Sequence, residues 1–362
     1  MKKVQVAILA AAICLAAAGC GNTLQKSANP SASIYHYKEQ SITMQAQPKR
    51  IVTLSTPLLN MAYAIGGTSL ARPTTSSPIP DSAKALPELG QVSHINMEKL
   101  VELNPDLVLG EKGQNGKLES LLQSNKIPYL LINYDGINDN IPLMKFLGQV
   151  YGKTEQADKI IKKYEADIQK AEKEASQYVP AKIAILRATG KAVTAETPKS
   201  ICASMAERLK MNNVLLSHKE ISLDTKTVPY SLEQLSADDP EIIFVVTMGK
   251  AEEINKKMDE QMRDNPAWAN IQAVRNNRVY FLPSDLFLMN PGVNTPKAMI
   301  FIKTDLQNVF SAILTSLFFI AFSLTSANQV IHLWKYWAAL FAFPHLHQLQ
   351  KYLQLHHGSL HQ

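Results

Sequence analysis

Two side chains that can ligate iron, His94 and Met248, lie beside predicted elements in two distant parts of the sequence. His94 lies in the loop before a helix predicted at NMEKLVEL, and Met248 directly follows a buried-type strand predicted at IIFVVT. Imidazole and thioether are a recognised pair of axial ligands for haem iron. A lone loop histidine is more often a solvated side chain and a lone methionine more often packing, so the prediction rests on the pair. The pair predicts that His94 and Met248 hold one haem from opposite faces.

Four further residues have side chains that suit the same site. Tyr134, Tyr230 and Met289 are alternative iron ligands. Arg187 can hold a haem propionate, but it can equally hold a carboxylate or catecholate group of a ferric siderophore, so it does not separate the two ligands.

The sequence shows no catalytic machinery. It has no phosphate-binding glycine loop, no GxSxG elbow, no HExxH and no CxxC. The formal net charge of +6 is spread along 362 residues with no basic cluster interleaved with aromatics, so nucleic-acid binding is not expected. A binding protein is therefore favoured over an enzyme, and a membrane-tethered sensor is the other class left open.

An internal repeat positions these residues. NMEKLVELNPDLVLGE (96–111) aligns with YSLEQLSADDPEIIFVV (230–246), so that Glu98 matches Glu233 and Pro105 matches Pro240. Each copy reads as a short helix opened by Asn or Ser, a turn at proline, and an apolar strand. This is the αβ unit of a parallel sheet.

A long helix is predicted between the two copies, at 154–179. The stretch from Thr154 to Tyr178 has no Gly or Pro and repeats apolar residues with helical spacing. Thr154 suits its N-cap. The predicted fold is therefore α/β, with two Rossmann-like lobes at 49–153 and 180–308 joined by one rigid helix.

Several motifs together carry a resemblance to a known family. In their order and spacing, they resemble the substrate-binding lipoproteins of ABC importers for iron-siderophores, haem and cobalamin, over roughly residues 49–305, and most of all the haem-receptor lipoproteins. The motifs are RIVTLSTPLLNMAYAIGG, LPELGQ, the two repeat copies and NPAWANIQAVRNNRVYFLP. The resemblance implies a two-lobe protein that captures haem in its cleft, with ferric siderophore or cobalamin as the alternative.

The resemblance also bears on individual residues. Haem receptors place a Met in the first-lobe loop and a His after the second-lobe strand, whereas here Ser93 aligns with that Met, His94 is its neighbour, and Met248 stands at the His position. It further implies that Glu98 and Glu233 dock into arginine-bearing pockets on the permease dimer, which works with an ATPase. Each glutamate could instead serve only its helix N-terminus.

The N-terminal segment is predicted to export and anchor the protein. Residues 1–20 have two lysines, an apolar run and a small-residue end at Cys20, which resembles a lipobox; an ordinary signal peptide cut near Ala18 is the alternative. The lipidated Cys20 would hold the mature protein on the outer face of the cytoplasmic membrane. Residues 21–48 are predicted to be a tether. Cys202 is left without a disulfide partner.

The C-terminal segment departs from the resemblance. VFSAILTSLFFIAFSLTSA (309–327) is long enough to span a membrane, so 309–343 is predicted to be a transmembrane segment or the start of a fused or misread permease frame. The tail at 344–362 is rich in histidine, but the irregular spacing does not favour a metal site.

Overall fold

The computed structural model describes residues 32–176 and 181–302, and it folds them into two α/β lobes joined by one helix. Within these two ranges no helix is both long and apolar enough to cross a membrane. Cys20, the predicted transmembrane segment at 309–343 and the His-rich tail at 344–362 lie outside the described residues.

Lobe one is built on a parallel sheet in the order β3-β4-β5. Its strands are β1 Ser33–Tyr37, β2 Gln40–Met44, β3 Ile51–Thr53, β4 Leu107–Glu111 and β5 Tyr129–Ile132. Its helices are α1 Thr56–Ala64, α2 Met97–Glu102, α3 Lys112–Asn115, α4 Glu119–Ser124 and α5 Asn140–Val150.

Lobe two is built on a mixed sheet in the order β11-β10-β6-β7-β9, with β8 beside the start of β6. Its strands are β6 Lys182–Thr189, β7 Val193–Glu196, β8 Asn212–Asn213, β9 Thr227–Pro229, β10 Ile242–Met248 and β11 Val279–Leu282. Its helices are α7 Ile201–Arg208, α8 Leu232–Asp238, α9 Ala251–Asp264, α10 Pro266–Ala269, α11 Gln272–Arg275 and α12 Ser284–Phe287, and a further helix begins at residue 295.

The internal repeat is present in the backbone. Asn96 caps α2 and Ser231 caps α8, each by accepting a hydrogen bond from a backbone N–H of the first turn. Beyond each helix the residue before proline takes a left-handed conformation, with φ of 44° at Asn104 and 43° at Asp239. The two αβ units therefore turn in the same way.

The acid after each proline fastens its unit to the neighbouring strand. Asp106 accepts hydrogen bonds from the backbone N–H groups of Lys49 and Arg50 at 2.7 and 2.9 Å, just before β3. Glu241 accepts one from the N–H of Lys182 at 3.1 Å, at the start of β6. Asp106 thus fixes the start of β4 beside β3, and Glu241 fixes the start of β10 beside β6.

The linking helix, α6, spans Thr154–Ala175, so it is present as predicted but ends before the predicted residue 179. Its N-cap is Lys153, and Thr154, predicted as the N-cap, is its first residue. The apolar face is buried between the lobes and belongs to a core that takes residues from both. Its buried members are Ala157, Ile161, Tyr164, Ile168, Ala171 and Ala175. Because both lobes pack on the same helix, this shared core fixes the position of one lobe relative to the other.

The predicted tether is wrong for its last residues. The strands β1 and β2 form an antiparallel hairpin against lobe one. Tyr37 is buried, and its ring meets that of Phe146 in α5 edge to face with 5.9 Å between centres. The side chain of Gln40 donates to the Leu131 carbonyl at 2.9 Å, so the hairpin also covers the edge of β5. Burial of two alternating tyrosines, Tyr35 and Tyr37, stabilises the hairpin where the polar composition had indicated a linker.

A buried polar network ties the end of lobe two to lobe one. The amide nitrogen of Asn140 in α5 donates to Thr295 Oγ1 at 2.9 Å and to Tyr164 Oη at 3.2 Å. Asn290 donates to Asn140 Oδ1 at 2.6 Å and accepts from the N–H of Gly292 at 2.8 Å. Asn140 is fully buried, so this network fixes the two lobes across their boundary.

Candidate functional site

The boundary between the lobes faces the carboxyl ends of the lobe-one strands. Ser55 follows β3 and caps α1, Glu111 ends β4, and Tyr134 follows β5. Side chains at these ends converge in parallel sheets, and ligands of open α/β sheets bind outside them. The three residues meet here, since the hydroxyls of Ser55 and Tyr134 hydrogen-bond the Glu111 carboxyl.

Burial is the main cause of the pKa shifts of Glu111 and Tyr134. It raises the pKa of Glu111 above its ordinary value, against the opposing effect of its hydrogen bonds and of the Lys226 charge. It also raises the pKa of Tyr134 well above the usual value, and the Glu111 carboxyl beside it acts in the same direction. Tyr134 is therefore a neutral phenol within the boundary.

A second polar group faces the boundary from lobe two. The Arg187 guanidinium pairs with Glu196, with its Nε 2.8 Å and Nη2 2.7 Å from Oε1. Ser200 donates to the other carboxylate oxygen at 2.7 Å. Glu196 is fully buried, and burial raises its pKa while Arg187 opposes that rise. Arg187, predicted as a ligand-binding cation, thus has a carboxylate partner inside its own lobe.

The loop that carries His94 is held by specific backbone contacts. Asn115 donates from its side chain to the Val92 carbonyl at 2.7 Å and accepts from the Glu111 N–H at 2.8 Å, which ties the loop to the end of β4. Gly90 has φ of +97°, and a Cβ there would lie 2.7 Å from the His94 carbonyl oxygen. The turn therefore needs glycine.

His94 itself is exposed at this edge of lobe one. Its Nδ1 lies 2.9 Å from the Ser93 hydroxyl oxygen. A hydrogen bond at one ring nitrogen fixes how the other is presented, as in many metal-bound histidines.

Met248 occupies the corresponding end of lobe two. It is the last residue of β10, in register with Thr189 at the end of β6, and it is 49% exposed. Among the described residues, Met248 belongs to none of the three hydrophobic clusters of buried side chains. Met248 thus ends a parallel strand of lobe two, and His94 lies in the loop tied to the end of β4 in lobe one.

The fallback ligands differ in their placement. Tyr230 packs on the outer core of lobe two and donates its hydroxyl to Asp238, so it is committed elsewhere. Tyr134 is buried under the boundary. Met289 lines a cavity of about 60 Å³ between the lobes, together with Thr56 and Pro78 of lobe one and Asp285 of lobe two. This volume is below the about 300–1,000 Å³ of sites for drug-sized ligands, and neither His94 nor Met248 is among the residues that line it.

Sequence reasoning missed Glu111 and Lys226 at this boundary. Glu111 was visible as an acid at the end of an apolar strand, DLVLGE. Lys226 lies in a polar stretch without periodicity, and its position depends on the short strand β7, which pairs antiparallel with both β6 and β9.

The two glutamates predicted to contact the permease lie on the outside, whereas Cys202 does not. Glu98 and Glu233 are exposed in the first turns of α2 and α8. The pKa of the Glu233 carboxyl is lowered by hydrogen bonds from its own backbone N–H and from Ser231. Cys202, in α7, is buried and unpaired, and burial raises the pKa of its thiol.

Comparison with known proteins identifies the family. The sequence profile of the periplasmic binding protein family matches residues 51–286, more than half of the chain. The chain is 26% identical over 306 residues to the uncharacterized ABC transporter substrate-binding lipoprotein YvrC of Bacillus subtilis, covering 79% of this chain and 92% of that protein. It is 25% identical over 242 residues to the high-affinity heme uptake system protein IsdE of Staphylococcus aureus, covering 67% of this chain and 80% of that protein.

Solved structures share the fold. S. aureus IsdE in complex with heme aligns with a TM-score of 0.64 at 23% identity and covers 71% of this chain and 98% of that chain. S. aureus SirA in complex with staphyloferrin B aligns with a TM-score of 0.62 at 21% identity and covers 77% of this chain and 97% of that chain. The same two-lobe fold therefore occurs in one protein crystallised with heme and in another crystallised with a siderophore.

Proposed function

The chain belongs to the periplasmic binding protein family and is a substrate-binding protein of an ABC importer, and we propose that its ligand is haem. It captures haem between its lobes and delivers it to the permease. Proteins of this family bind solutes and are not enzymes. The similarity to a heme uptake protein supports the choice of ligand.

The observation that carries this proposal is the placement of the two iron ligands. His94 and Met248 are both exposed: Met248 ends β10 of lobe two, and His94 lies in the loop of lobe one that Asn115 ties to the end of β4. Haem iron offers two axial positions on opposite faces of a plane. A flat ligand between two lobes is suited to one donor from each side.

The two ligands differ in strength. The thioether is the weaker ligand for ferric iron, so His94 contributes more of the haem affinity and Met248 sets the spin state and raises the reduction potential. His94→Ala is therefore expected to lose haem, whereas Met248→Ala keeps haem but shifts its spectrum from low-spin towards a high-spin or water-ligated form.

Absorption spectra of the purified protein and its variants, titrated with haemin, test this. His36→Ala is the matched control, because His36 is exposed on β1, on the strand face opposite the buried Tyr35 and Tyr37. If neither His94→Ala nor Met248→Ala changes the haem spectrum, the assignment is wrong; a change in Met289→Ala alone would move the sixth ligand to Met289. If the protein does not bind haemin but does bind a ferric siderophore, its ligand is the siderophore and not haem.

The exposed glutamates are proposed to be the contacts with the importer. Glu98 and Glu233 occupy the same position in the two repeat units, which suits docking to two similar permease subunits. We also propose that lipidated Cys20 anchors the protein to the outer face of the membrane. Replacing Cys20 with Ser would then abolish incorporation of labelled fatty acid into the protein, and persistent labelling would contradict the anchor.

A further inference from the structure

Lys226 of lobe two reaches the carboxyl edge of the lobe-one sheet. Its ammonium lies 5.2 Å from the centre of the Tyr134 ring, which follows β5. The backbone carbonyl of Lys226 accepts a hydrogen bond from the Thr197 N–H at 3.1 Å, so the start of β9 is fixed beside the end of β7. The residue itself is exposed. A cation thus stands at the lobe boundary on a fixed backbone.

No carboxylate of the described residues lies within ion-pair distance of the Lys226 ammonium. Among the residues that the structure describes, its ammonium forms no ion pair, whereas the nearby Arg187 is paired with Glu196. Two carboxyl groups sense the charge of Lys226, and both are hydrogen-bonded to other groups: half-buried Glu111 to Ser55 and Tyr134, and buried Glu196 to Arg187 and Ser200. Of these two cations, Lys226 is the one free to meet an anion from outside.

We infer that Lys226 binds the anionic group of the ligand, a carboxylate of the kind that haem carries on its propionates. The inference rests on the proposed function. An ammonium on a four-carbon stem can swing from the tyrosine ring to a carboxylate without moving the backbone. A contact with an aromatic face at an exposed site is weak, and a charge-assisted hydrogen bond is stronger, so the exchange favours the bound ligand.

Esterified haem separates recognition of the propionate from recognition of the iron. Haemin and haemin dimethyl ester offer the same iron and the same ring, but only haemin has carboxylates. Lys226→Gln should weaken haemin binding by about 10- to 100-fold, the loss of a hydrogen bond to a charged group. It should leave binding of the dimethyl ester within about two-fold of the wild type, because the ester gives Lys226 no anion to bind.

Two further variants serve as controls. Lys226→Arg keeps the charge and should recover most of the haemin affinity, which a variant that merely damaged the β9 edge would not do. Lys163→Gln removes one positive charge from the exposed face of α6, where the side chain is 74% exposed, and should leave both ligands bound as before. It controls for a general effect of net charge on an acidic ligand.

The outcomes are distinct. Equal haemin affinities for Lys226→Gln and the wild type overturn the role of Lys226 while leaving haem capture in place. Equal losses for haemin and its dimethyl ester also overturn it, since the residue would then support the fold of the site. A wild-type protein that binds neither porphyrin overturns the proposed function, and the propionate contact falls with it.

Discussion

Replacing Asn140 with Ala tests how firmly the lobes are held together. Asn140 is fully buried, and its amide joins α5 of lobe one to Tyr164 in α6 and to Thr295 and Asn290 at the end of lobe two. The substitution leaves the Tyr164 hydroxyl and the Asn290 amide buried without this partner. Each such group costs about 1–3 kcal/mol, so the free energy of unfolding should fall by about 2–6 kcal/mol.

Urea unfolding followed by circular dichroism measures this loss. Asn125→Ala is the matched control, because Asn125 is exposed and its amide makes one local hydrogen bond, to Leu121 at 2.8 Å; it should change the free energy of unfolding by less than about 0.5 kcal/mol. Asn290→Ala should be destabilising as well, and the double variant should lose clearly less than the sum of the two single losses. A loss below about 1 kcal/mol in Asn140→Ala, or full additivity with Asn290→Ala, would refute the network as a link between the lobes.

Three further predictions concern docking, lobe movement and pH. Replacing Glu98 and Glu233 with Ala should leave ligand affinity unchanged while uptake through the permease falls; uptake that only follows a loss of binding would make the two residues structural. Because α6 and the shared core join the lobes, small-angle scattering should give nearly equal radii of gyration with and without ligand, and a change of several ångströms would contradict this. The pKa of His218 is raised in the folded protein, first by its hydrogen bond to Asp238. Protonated His218 therefore stabilises the fold fully at a pH below its pKa in the unfolded chain, and this contribution is lost as the pH rises through its pKa in the folded protein. His218→Gln should therefore destabilise the protein more at about pH 5.5 than at about pH 9, and a pH-independent effect would count against the pair.

The repeat and the linking helix could be predicted because they are set by local sequence. The left-handed residues Asn104 and Asp239, the prolines after them and the capping residues act within a few positions of each other. The hairpin at 33–44 was missed because its strands are short, and the burial of Tyr37 depends on Phe146, more than a hundred positions away. Alternation over five residues is a weak signal in a polar stretch.

The candidate site was predictable only in part, because its geometry is made by contacts between lobes. The position of His94 beside a strand end could be inferred from the order of elements. The pairing of Arg187 with Glu196 and the contact of Lys226 with Tyr134 depend on the short strands β7 and β9, whose antiparallel pairing has no clear periodic signal. The Asn140 network joins residues about 150 positions apart, and no local pattern marks it.

The most direct test of haem capture is a titration of the wild-type protein with haemin, followed by absorption in the Soret and visible regions. Axial ligation by His94 and Met248 predicts saturation at one haem per protein and a low-spin, six-coordinate spectrum. Addition of a ferric siderophore should not displace that haem. Failure to saturate, or a high-spin spectrum that is the same in the wild type and in the variant lacking both side chains, would contradict the account.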